Sequence, residues 1–195
     1  MTPLRFLTVL ALCALPMLAA DAPPDARQIF DRQLSNIERE VVGLTEAMPA
    51  DKFNFAPTRG EFTGVRTFAL EARHIGFELN TVADALLAEP VPSQQHDNGP
   101  DNLTGKDDIV QYLKDAFAHA HRAIATLTNE NLMELTADPF NPRAKSPRVA
   151  SVAIFYWHTE DHYGQMVEYL RMNGIVPPAS RPRTRPEAAR PAKTR

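Results

Sequence analysis

Residues 151–170 read SVAIFYWHTEDHYGQMVEYL, and their spacing decides the fold. At about 100° per residue, Ser151, Ile154, Phe155, His158, His162, Gln165, Met166 and Tyr169 fall on one continuous helical face, with Glu160, Glu168 and Arg171 on the other side. Two histidines four residues apart therefore project together from the inward side of a helix. The flanks bound the element. Ser146-Pro147 offers an N-cap followed by the proline favoured in the first helical turn. Asn173-Gly174 offers the C-terminal stop, with Ile175 able to cover the last turn and Pro177-Pro178 preventing continuation.

Working outward, three more segments carry helical periodicity. From about Asp25 to Met48, the residues Phe30, Leu34, Ile37, Val41, Leu44 and Met48 recur at steps of three and four, and Pro49 ends the run. A second helix is expected from about Gly64 to Ala88, opened by Thr63 as N-cap and closed before Pro90; its apolar residues spread around the axis, as in a helix packed on more than one side. A third runs from Gly105 to about Leu127 behind Thr104 and Asp107, a near match to a capping box. No segment alternates with period two over strand length. The expected fold is an all-α four-helix bundle with long connecting loops, since the joints exceed the two to eight or so residues usual for neighbouring helices. The first loop carries Phe53, Phe55 and Phe62, which reads either as a lid or as a plug for the end of the core.

The 195 residues fit one domain large enough to bury its own core. Residues 1–20 read as a signal peptide: Arg5 follows a short start, Phe6 to Leu18 is almost wholly apolar, and Leu18-Ala19-Ala20 suits cleavage before Asp21. The run is shorter than the roughly 20 residues of a membrane span and contains Pro16, so no stable span is expected after cleavage and the location is periplasmic or secreted. Cys13 is the single cysteine and lies inside that run, without the small residue that lipoprotein cleavage wants before it. A processed chain would have no disulfide, thiolate ligand or cysteine nucleophile, so any metal must be held by nitrogen and oxygen. The bundle domain is expected over residues 21–178, and residues 179–195 form a basic tail rich in Pro and Arg with the composition of a disordered segment. Residues 181–195 carry six basic residues and Glu187, a net of +5, whereas residues 21–179 carry 14 basic and 23 acidic residues, a net of -9 (14 - 23). An acidic body argues against nucleic acid as a partner.

Each histidine has an ordinary and a functional reading. A buried imidazole without a partner costs roughly 1–3 kcal/mol, so His158 and His162 on one inward ridge call for an explanation that a lone core histidine would not. Two imidazoles hold only part of a divalent ion's shell, and His74 on the second helix is the best third ligand, from an interhelical seam or a wet edge. Glu71 and Glu78 share its ridge; one could accept the other imidazole N–H or complete the coordination, with surface ion-pairing as the ordinary reading. His96 and the outward His119 read as solvated, and His121 sits at the edge of its helix's apolar stripe. The His-Glu-x-x-His protease pattern is broken because Thr159 follows His158.

Ala72-Arg-His74-Ile, His158-Thr-Glu-Asp-His162-Tyr-Gly-Gln165-Met and the loop Met48-Pro-Ala-Asp-Lys-Phe-Asn-Phe-Ala-Pro57-Thr resemble the DinB superfamily of metal-binding four-helix bundles, over about residues 25–178. The resemblance implies a facial site of His74, His158 and His162 for nickel, zinc, iron or manganese. It includes relatives described as thiol-dependent transferases and metal-dependent hydrolases, so a small-molecule substrate is the implied partner. Export counts against the thiol chemistry, because low-molecular-weight thiols are mainly cytosolic. For a general acid or base, Tyr163, Glu78, Asp161 and His121 are the candidates. A non-catalytic metal-binding bundle needs the same ligands and no base. A purely structural reading has the histidines hydrogen-bonded in the core and the bundle acting through protein contacts, for instance as a homodimer.

Overall fold

The computed structural model describes residues 24–90, 97–141 and 143–182; the expected signal peptide, His96 and most of the basic tail lie outside them. Four helices dominate: α1 (Ala26–Ala47), α2 (Phe68–Leu87), α3 (Lys106–Ile124) and α4 (Arg148–Met172). α2 packs against α3 and α4, and α1 packs against the same two. α1 thus lies diagonally across from α2, and α3 from α4. This order explains two of the three long joints, because the chain must cross the end of the bundle between α1 and α2 and again between α3 and α4. Phe68, Phe117 and Phe155, one each from α2, α3 and α4, are fully buried in the shared core, each a contribution of roughly 2–3 kcal/mol relative to exposure.

The helix ends follow local chemistry, with three corrections to the expected boundaries. α2 is capped by Thr67, whose hydroxyl accepts from Leu70 N, and not by Thr63. The backbone N–H groups of Phe68 and Ala69 donate instead to Phe55 and Phe53 carbonyls, so the first loop itself sets where the helix begins. α3 opens on Gly105 without a side-chain cap, so the Thr104–Asp107 box does not form. Ser146-Pro147 belongs to a two-stranded antiparallel ribbon, β1 (Leu135–Ala137) with β2 (Lys145–Pro147), and α4 starts one residue after it. Strands of three residues are too short to show period-two alternation. The ribbon closes the C-terminal end of α2, where the Thr136 hydroxyl donates to the Ala85 carbonyl at 2.6 Å and Arg148 to that of Leu86 at 3.2 Å. Such ends otherwise leave unpaired carbonyls.

The far end of α4 behaves as read. Gly174 takes φ 73°, its N–H donates to Arg171 O at 2.9 Å, and Ile175 N donates to Leu170 O at 3.0 Å, the paired bonds of a Schellman stop that favours glycine. In the first loop Phe53 and Phe55 act as the plug, edge-on to Phe68 and Tyr169 at 5.4 and 5.6 Å between ring centres. Phe62 remains exposed. Among the described residues no helix is long and apolar enough to cross a membrane.

Candidate metal centre

His74 enters from α2 and His158 and His162 from the facing side of α4. His158 Nε2 stands 3.3 Å from His74 Nε2 and 3.2 Å from His162 Nε2. The third sequence-predicted ligand thus lies in the seam between helices, buried with its partner His162, while His158 is half-buried. The α4 face is rotated slightly from the expected one: Val152, Thr159 and Leu170 are buried with it and Gln165 is exposed. Two packing partners, α1 and α2, share this helix, so no single apolar stripe describes it.

Two of the outer ring nitrogens face acceptors. His74 Nδ1 meets the Asp97 backbone carbonyl, with an Asp97 carboxylate oxygen 3.3 Å away. His162 Nδ1 faces Glu71 Oε2 at 2.8 Å, bent from hydrogen-bond alignment, and neither atom has another partner. An N–H pointing outward on each ring leaves the inward Nε2 as a lone pair. Two lone pairs then face His158 Nε2, which has at most one proton to offer. Donors about 3.0–3.4 Å apart are what a first-row ion collects at nitrogen distances of about 2.0–2.1 Å. The residues fit a divalent cation.

Electrostatics favours the same state. Burial, then the neighbouring His162 and His74 rings, lowers the His158 pKa to about 4. Burial also lowers that of His74, against the Asp97 carbonyl that raises it. Neutral imidazole is the form that ligates.

Glu71 corrects an expectation: it is 2 % exposed and serves His162, not a surface ion pair and not His74. Glu78 is also buried, and burial followed by the Asp97 charge raises its pKa to about 7. It shares a possible ligand cluster with His74 and Asp97. Of the other acid–base candidates, His121 is held by Asp31 and Glu38 of α1, Asp161 is exposed and accepts from Gln165, and Tyr163 lies against Glu40. His119, expected in solvent, is instead largely covered between α2 and α3, its side chain 13 % exposed.

Sequence reasoning missed Arg66, Asp97 and Asn98. Arg66 donates to the Asn98 side chain at 2.8 Å and to the Asp97 carboxylate at 2.5 Å, pinning that loop over His74. Asp97-Asn98-Gly99-Pro100 carries turn chemistry, but nothing in it announces contact with a histidine on another element. A cleft of about 440 Å³ opens beside the centre, lined by Arg66, Glu71, Asp97, Asn98 and Gln165 among others.

Comparison with known proteins adds the family. Residues 33–166 match the model of the DinB superfamily. The chain belongs to the DinB superfamily. A crystal structure of a DinB-like protein from Bacillus cereus ATCC 10987 superposes with a TM-score of 0.62 at 14 % identity, covering 79 % of this chain and 96 % of that one. At that identity the likeness speaks for the DinB fold alone. No curated protein matches the chain.

Proposed function

We propose that this DinB-superfamily protein is exported, binds a divalent metal through His74, His158 and His162, and uses it as a hydrolase or transferase acting on a small molecule in the adjoining cleft. The observation that carries the reading is the meeting of three ring nitrogens at 3.2 and 3.3 Å with an acceptor facing the outer nitrogen of His74 and of His162. Nickel, zinc, iron and manganese all suit such a nitrogen set with open positions. Export rests on the composition of residues 1–20.

When bound, such an ion supplies Lewis acidity toward a carbonyl, phosphoryl or thiol group. The chain's own part is positional. Asp97 and Glu71 hold the His74 and His162 rings in one orientation, and Arg66 fastens Asp97. Arg66 and Gln165 line the cleft with groups able to donate to an oxygen-rich substrate. Hydrolysis is favoured over thiol transfer because an exported protein meets little low-molecular-weight thiol. A non-catalytic metal-binding bundle is the second reading; Tyr163, Asp161 and His121 being engaged away from the three rings favours it, whereas Glu78, clustered with His74, is the one acid–base candidate beside them.

Elemental analysis of protein purified without a His-tag tests the site: the wild type is expected to carry one equivalent of metal more than His158→Ala. A wild type that takes up no more metal on loading than His158→Ala refutes it in favour of hydrogen-bonded core histidines. A panel of ester, amide, phosphoester and lactone substrates, with and without thiols, then separates enzyme from binder. Turnover that vanishes in His158→Ala is the expected outcome, and loaded protein inert across the panel supports the binder.

A further inference from the structure

About 15 Å along α2 from His74, a second group of ligating side chains meets across the α2–α3 seam. Asp84 lies in the last turn of α2, Glu89 just past its end and His119 on α3, with one ligand atom of each within 4.8 Å of the others. His119 Nε2 stands 3.5 Å from Asp84 Oδ1 and 3.5 Å from Glu89 Oε2. That nitrogen is buried and takes no hydrogen bond. Asp84 is 7 % exposed, and its carboxylate, which keeps an edge on solvent, has no hydrogen-bond donor among the described residues.

The backbone and the far side of the ring both serve this arrangement. Ala88 adopts the left-handed conformation at φ 56°, the single non-glycine residue to do so among those described, at a cost of about 1–2 kcal/mol. That turn lets the N–H groups of Ala88 and Glu89 both donate to the Asp84 carbonyl and brings Glu89 back beside the Asp84 side chain. On α3, His119 Nδ1 lies 3.0 Å from Asn80 Oδ1. Donation there leaves Nε2 as a lone pair aimed at two carboxylates.

His121, on the same helix, is arranged differently. Its Nδ1 is 2.6 Å from Asp31 and its Nε2 is 3.2 Å from Glu38, one carboxylate for each nitrogen. At His119 both carboxylates address one nitrogen, each at 3.5 Å, beyond normal hydrogen-bond length. Arg122 acts on Asp84 through its charge, without a hydrogen bond to it. A covered carboxylate and ring nitrogen joined at the rim of the seam by the half-exposed Glu89 suit a cation, and 3.5 Å is close to the donor spacing of about 3.4 Å around a tetrahedral first-row ion.

We propose that Asp84, Glu89 and His119 form a second divalent-cation site, suited by its mixed nitrogen and oxygen donors to zinc, manganese or cobalt. It is independent of the three-histidine centre and clamps the C-terminal end of α2 to α3. Zinc titration of untagged, chelator-stripped full chain, followed by equilibrium dialysis, tests it. The wild type should bind two equivalents and His158→Ala one. Adding Glu89→Gln to His158→Ala should weaken the remaining equivalent at least about tenfold, and Glu89→Gln alone should leave the three-histidine equivalent in place. Glu89 has a half-exposed side chain, so the metal-free Glu89→Gln protein should melt as the wild type does. A wild type binding one equivalent that His158→Ala abolishes would overturn this proposal while sparing the first site. A second equivalent indifferent to Glu89→Gln and to His119→Gln would overturn it too.

Discussion

His162 shows how much of the candidate metal centre rests on one carboxylate. A ligating imidazole rotates about its side-chain bonds unless its outer nitrogen is held, and here Glu71, buried at 2 % exposure, faces that nitrogen at 2.8 Å. Glu71→Gln keeps the volume and removes the charge. Divalent-metal affinity should fall about 10- to 100-fold, as read by competition with a chromophoric chelator; an unchanged affinity would mean that Glu71 does not orient the ring. Gly99 is a second single residue on which the centre depends. Its φ of +69° favours glycine, and a Cβ there would sit 2.8 Å from the Arg73 carbonyl oxygen. Gly99→Ala should cost about 1–3 kcal/mol in urea unfolding. It should also weaken metal binding, because it shifts the turn that carries Asp97 over His74.

The helices meet through a few polar clasps as well as through the core. Tyr156 of α4 stacks on Phe30 of α1 at 6.2 Å and donates its hydroxyl to the Phe30 carbonyl at 2.9 Å. Burial, with the Asp31 charge adding to it, raises the Tyr156 pKa far above its ordinary value. The folded state therefore keeps the phenol protonated while the unfolded chain loses its proton from about pH 10 upward, so the unfolded state binds fewer protons there and stability falls as pH rises. Tyr156→Phe should be less stable by about 1 kcal/mol at pH 7 but decline less steeply above pH 10, so that urea midpoints of the two proteins converge. Parallel curves would show that this phenol does not govern the alkaline limb. Lys106 makes a similar clasp, donating to the Glu46 and Met48 carbonyls at 2.7 and 2.8 Å and so closing the end of α1.

For the molecule as a whole, the three histidines tie α2 to α4, two elements joined in sequence only through α3. An ion held there binds the folded state and not the unfolded one, so unfolding should shift with free metal as mass action requires, by about 2.7 kcal/mol at a hundredfold excess over Kd. A chelator should reverse the shift in thermal unfolding, and His158→Ala should show none of it from this centre. The four helices, the stop at Gly174 and the pairing of His158 with His162 were all readable along the chain, because periodicity, capping and i, i+4 spacing are local properties of a helix. The motif around His74 suggested a ligand role by likeness to a family rather than by its own pattern, since α2 is buried on several sides and offers no single inward stripe. What needed the folded structure were contacts between residues distant in sequence: Glu71 against His162, Asp97 over His74 under the grip of Arg66, and His119 turned toward Asp84 and Glu89. The diagonal order of the helices sets those meetings. A helix's own sequence states which residues share a face, but which neighbour that face meets depends on how the long loops carry the chain across the bundle.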